Sequence, residues 1–186
     1  KEVEKVIEEL RKILDDARRE NERLLRELEE ILKRVEERNR KLLEDLRRIL
    51  EEVRKKAKDI RRDKDALDKL VREVDKVIKR VKEESDRSVE EVRRVIEEVI
   101  TRSEKSLRDV ERAIERVKET VDRLQVSEEV VKRVEEELKK VKEDVERINK
   151  EVRDRLREVE ERLEKINEDT ERTLKKVKDE LEETKR

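Results

Sequence analysis

Carboxylates, cations, amides and hydroxyls are the side chains through which this sequence could do chemistry. Of its 186 residues 57 are Asp or Glu, so carboxylate pairs at general acid–base spacing recur throughout, as at Glu8-Glu9 and Glu135-Glu136-Glu137. A general acid needs a pKa raised by burial. The helical pattern described below leaves no Asp or Glu on an apolar stripe, so these pairs point to water. Cys, His, Met, Gly, Pro, Phe, Tyr and Trp are all absent. No thiolate, imidazole, glycine-rich phosphate loop or aromatic platform can be built. The sequence therefore offers no catalytic, cofactor-binding or metal-ligating set, and the protein is expected not to be an enzyme. The densest cationic run is Arg54, Lys55, Lys56, Lys58, Arg61, Arg62 and Lys64. It stands where a helix should end and complements the helix dipole. Asp59, Asp63, Asp65 and Asp68 lie close by, and the net charge is −1, which argues against nucleic-acid binding. No apolar run approaches the ~20 residues of a membrane span, and the start does not resemble a signal peptide.

The uncharged polar residues are fewer and more ordered. All four Asn (Asn21, Asn39, Asn149, Asn167) and four of the five Ser (Ser85, Ser88, Ser103, Ser106) fall on the apolar stripes of three long segments. An amide–hydroxyl cluster carries no charge, no base and no strong metal ligand. The structural reading of these residues thus outweighs a small-molecule or ion site.

The elements that must position them are helices. Charged residues make up 61% of the chain and hydrophobic ones 31%, chiefly Leu, Val and Ile. The hydrophobic residues are periodic, which separates the chain from a disordered one. The first segment shows an 18-residue repeat when it is cut as VIEELRKILDDARREN, LLRELEEILKRVEERNRK, LLEDLRRILEEVRKKAKD. Such a repeat fills five turns at ~3.6 per turn, so the pattern imposes neither hand of supercoil. Of the 58 apolar residues, 55 lie on three stripes, the exceptions being Ala66, Ile100 and Val126. One stripe per segment, wide enough for two neighbours, predicts an all-α, antiparallel, nearly untwisted three-helix bundle running up, down, up. Its helices should be about 60 residues long. One continuous helix is the alternative, but a lone helix needs no stripe.

The expected helices span 2–62, 66–124 and 128–185 of a single domain, with loops near 63–65 and 125–127. Asp65 with Asp68 resembles a capping pair. Ser127 reads as an N-cap followed by Glu128 and Glu129, with Val126 and Val131 at staple spacing. Folding about these breaks brings Asn21 to Ser106 and Asn39 to Ser88, each pair of numbers totalling 127. It brings Asn149 to Ser103 and Asn167 to Ser85, each totalling 252. The first and third helices are then parallel and offset by 128, so Asn21 meets Asn149 and Asn39 meets Asn167. Two polar layers result: Asn21, Ser103, Ser106, Asn149; and Asn39, Ser85, Ser88, Asn167 with Thr170 attached. An unpaired buried polar group costs about 1–3 kcal/mol, so such layers penalise slipped registers.

On these residues the chain resembles computationally designed, parametrically generated helical bundles with buried hydrogen-bond networks. The 18-residue repeat, the loops DKD and LQVS, the Glu, Lys and Arg at exposed positions, and the confined Asn and Ser carry the likeness, which covers the whole chain. Natural three-helix rods of the spectrin kind are similar in architecture but have the aromatic core residues missing here. Loops without Gly depart from the designed pattern. The resemblance implies a soluble, very stable scaffold without cofactor or natural location, found in the cytoplasm on recombinant expression. It further implies a monomer that requires no partner, nucleic acid or membrane. Members built as switches or matched partners supply the alternative of a binding module with one exchangeable helix. The third is the candidate, since its stripe holds 15 apolar residues against 21 and 19.

Overall fold

A computed structural model describes residues 2–185. Three α-helices account for nearly all of them: α1 (Glu2–Asp59), α2 (Lys64–Leu124) and α3 (Glu128–Lys185). No strand occurs among the described residues. Leu, Glu, Lys and Arg favour helix intrinsically, and no Gly or Pro interrupts. The Val-rich stripes of α2 and α3 lose χ1 freedom in a helix, so packing rather than propensity holds those segments helical.

The helices pack as a three-helix bundle. Its direction follows from the contacts between helices. Partner numbers total 125 for Glu2 with Arg123, 127 for Asn21 with Ser106 and 124 for Asn39 with Ser85, so α2 runs antiparallel to α1. They total 253 for Arg93 with Glu160 and 255 for Ser85 with Thr170, so α3 reverses again. Between α1 and α3 the partners differ by 126 at Arg11–Glu137, Arg18–Asp144, Glu36–Arg162, Arg47–Thr173 and Arg54–Glu180. The expected offset of 128 is therefore corrected to 126, or seven 18-residue repeats.

Contacts group the chain into two compact units. One holds the residues up to Glu29 together with Arg94–Glu158. Its core contains Leu10, Leu28, Val99, Val110 and Val117, each almost wholly buried. The other holds Glu30–Arg93 and the residues from Val159 onward. There Leu43, Leu46, Leu50 and Val53 pack with Val71, Val74, Ile78, Val81, Leu174, Val177 and Leu181. Burying one such side chain stabilises by about 1.5–3 kcal/mol. Ile100, outside its stripe, is exposed. Leu124, on its stripe, is exposed too, because α2 ends there.

The first turn differs in detail from expectation. α1 stops at Asp59 rather than 62, and α2 starts at Lys64 rather than 66. The Ile60 N–H still reaches Lys56 O (3.2 Å), but the Asp63 N–H then closes on Ile60 O at 2.9 Å. Asp63 Oδ1 accepts from the Ala66 N–H at 3.2 Å while its carbonyl accepts from Leu67. The cap is thus Asp63 and not Asp65, since only a residue outside the first turn can aim its carboxylate back at the free N–H groups. At the second turn Ser127 O takes the first helical bond, from the Val131 N–H at 3.0 Å. Gln125 stands at φ 45°, the left-handed conformation that usually ends a helix on Gly.

Asp63→Ala should therefore cost about 1 kcal/mol, and Asp65→Ala much less, in matched guanidinium denaturation curves. Gln125→Gly should raise stability by about 1 kcal/mol, the steric penalty of a Cβ in the left-handed region. Gln125→Val should lower it.

Candidate functional site: two buried amide–hydroxyl clusters

The seam carrying Asn39 also carries Leu43 and Leu46 on α1, and the amide is buried among them. Ser85 enters from α2 and Thr170 from α3, both buried. Ser85 Oγ donates to Asn39 Oδ1 at 2.9 Å. Thr170 Oγ1 lies 3.2 Å from Asn39 Oδ1, 3.2 Å from Ser85 Oγ and 2.8 Å from Ile166 O. A hydroxyl carries one proton, so two protons serve these four contacts. Thr170 shares its proton between its own helix and the amide oxygen. One residue from each helix thus meets at a single carbonyl oxygen.

The second cluster has another topology. Asn21 Nδ2 donates both its hydrogens, to Ala17 O at 2.7 Å and to Ser106 Oγ at 3.0 Å. Ser106 Oγ passes its own proton to Ser103 O at 2.9 Å. Asn21 Oδ1 is buried without a partner.

The contact of Asn21 with Ser106 is the one expected from the fold-back of the sequence. Asn39 meets Ser85 in place of Ser88, which is buried but makes no side-chain bond in this cluster. Ser103 is buried and takes part through its carbonyl. Two expected members stand elsewhere. Asn149 is exposed and Asn167 half-buried, and neither joins a cluster among the described residues. The pairings of Asn149 with Ser103 and Asn21, and of Asn167 with Ser85 and Asn39, are therefore corrected. The reason is rotational: Asn149 sits on the flank of α3 toward α2, lining an open groove beside Ile114 and Val145, and Asn167, one repeat further on, has the same helical angle. Thr173 is a polar residue that the stripe pattern does not single out. It is buried on the α1 side, where Arg47 Nη2 donates to its Oγ1 at 3.4 Å.

Two of the charged candidates form ion pairs between helices. Arg54 of the basic run meets Glu180 at 2.9 Å. Glu137 accepts from Arg11 at 2.6 Å. That hydrogen bond above all holds the Glu137 carboxyl below the usual range, outweighing desolvation, with the charge of Arg11 adding to it. Glu37 is likewise lowered by the hydrogen bond from Arg40. Both shifts run opposite to what a general acid needs. Among the described residues no group of three or more acids is placed to hold a metal ion, and no helix is long and apolar enough to cross a membrane.

The arrangement defines a class before any comparison: a three-helix bundle whose interior carries uncharged polar clusters. No family model and no curated protein matches the chain. Among solved structures, one titled "Computationally designed three helix bundle" is 17% identical, covering 99% of this chain and 89% of its own, with a TM-score of 0.46.

Asn39→Ala should cost about 1–3 kcal/mol, because Ser85 and Thr170 lose their shared acceptor. Asn149→Ala and Asn167→Ala should each change stability by less than about 0.5 kcal/mol. Chemical denaturation of the three variants separates the two cases. The Arg11–Glu137 pair fixes a pH trend as well. A carboxyl lowered on folding contributes fully above its unfolded value of about 4.3 and is lost as pH falls through the folded value. Denaturation midpoints should therefore fall below about pH 5, and less steeply for Glu137→Gln.

Proposed function

We propose that this protein is a designed structural scaffold without catalytic activity. Its buried Asn, Ser and Thr clusters set which faces and which heights of the three helices meet. The carrying observation is the Asn39–Ser85–Thr170 contact, in which all three helices converge on one amide oxygen. A Leu–Val–Ile stripe tolerates sliding, since one apolar contact replaces another. An amide oxygen satisfied in a single register does not. The 18-residue repeat and the Glu, Lys and Arg surface support a parametric design. Contacts recur at the same place in it: Arg18–Asp144, Glu36–Arg162 and Arg54–Glu180 follow one another at intervals of one repeat along each helix. The scaffold is proposed to be a soluble monomer that completes its own core.

Replacing the cluster residues together by Leu, Val or Ala should keep or raise the melting temperature, because satisfied buried polar sets are often no more stabilising than apolar ones. The parent should elute as a single species of 22.8 kDa by light scattering. The apolar variant should populate larger species. If it stays strictly monomeric and melts far lower, the clusters supply stability and not specificity.

A further inference from the structure

The two clusters are related by one 18-residue repeat. Asn39 lies one repeat beyond Asn21, and Ser85 and Ser88 lie one repeat before Ser103 and Ser106, as the reversed direction of α2 requires. The helix offsets leave one position of α3 to complete each cluster. In the Asn39 cluster it is Thr170, whose hydroxyl faces the amide oxygen at 3.2 Å. The residue one repeat before it is Val152, buried and without a donor. Among the described residues the buried side-chain polar atom left unpaired is Asn21 Oδ1, the amide oxygen equivalent to the one Thr170 reaches on Asn39.

We infer that the Asn21 cluster is an incomplete copy of the Asn39 cluster, and that position 152 is the site of its missing hydrogen-bond donor. The Asn21 amide cannot repair this by turning over. Its nitrogen faces Ala17 O at 2.7 Å, where an amide oxygen would be repelled. Ser106 has already spent its proton on Ser103 O. The site takes one neutral donor, and Thr brings one in the volume of Val. Thr170 is then the α3 side chain that the polar interior reads, in place of Asn149 and Asn167. This deepens the proposed role of the clusters and rests on it for its purpose, though the hydrogen-bond accounting does not.

The test is a double-mutant cycle in the full chain: parent, Val152→Thr, Asn21→Leu, and both together. Guanidinium unfolding is measured at raised temperature, and amide exchange is followed over residues 17–24 and 148–156. With Asn21 present, Val152→Thr should lower the unfolding constant about fivefold and slow exchange in both segments. In the Asn21→Leu background the same change should raise the unfolding constant, since the new hydroxyl has no side-chain acceptor. An equal effect in both backgrounds overturns the inference, as does a buried water that already satisfies Asn21 Oδ1 and erases the gain. Thr170→Val, measured in parallel, should weaken the Asn39 cluster by a similar factor. Failure of the register reading shows separately, in the association state of the all-apolar variant.

Discussion

Five turns of α-helix close an 18-residue period, and the contacts between these helices inherit that number. A stripe that returns to the same angle with this period keeps facing the same neighbour without over- or under-winding. The α1–α3 contacts show the consequence: one fixed difference of 126 relates partners from Arg11–Glu137 to Arg54–Glu180. The benefit is a backbone free of local strain, with one left-handed residue, Gln125, in the second turn. The cost is ambiguity, because a perfect repeat has several equivalent alignments.

Buried polar side chains obey different physics from the apolar stripe. Burial of Leu46 or Val110 supplies stability in proportion to area and is indifferent to partner identity. A buried amide contributes little net energy when satisfied and costs much when it is not. Asn39 sits at the favourable end of this asymmetry, with donors from two other helices. Asn21 satisfies its nitrogen and strands its oxygen. The clusters share a sequence plan but differ in the α2 serine and the amide atom that bond, and in the α3 residue at the equivalent position, Thr170 or Val152.

Much of this was legible in the sequence because helical periodicity is a strong signal. The three stripes, the two breaks and the meeting of Asn21 with Ser106 need only 100° per residue and a fold-back point. What was not legible lies below that resolution. Asn149 and Asn167 stand about 80° round from Val141 and Val159, at the stripe's edge, whereas Thr170 stands about 20° away. All three share the apolar side of α3 on a coarse reading, yet only Thr170 points between the other helices. An offset of 126 in place of 128 moves α3 by about 3 Å, enough to change which hydroxyl reaches an amide. The shift from Asp65 to Asp63 as cap is of the same kind. Acids crowd that turn, and the backbone closure from Asp63 to Ile60 selects among them.

The surface charges bear on the same ambiguity. Arg18 and Arg54 of α1 face acids on α3, but midway between them Glu36 faces Arg162, with the signs reversed. Displacing α3 by one repeat in one direction would set Arg18 against Arg162 and Glu36 against Glu180. Displacing it the other way would set Glu36 against Asp144 and Arg54 against Arg162. Each native pair is partly exposed and adds little stability on its own. Either one-repeat displacement of α3 thus brings two like-charge pairs together. Specificity here is the difference between the native register and its nearest competitors. The reversed pair at Glu36 and Arg162 gives this series of α1–α3 contacts a marked position.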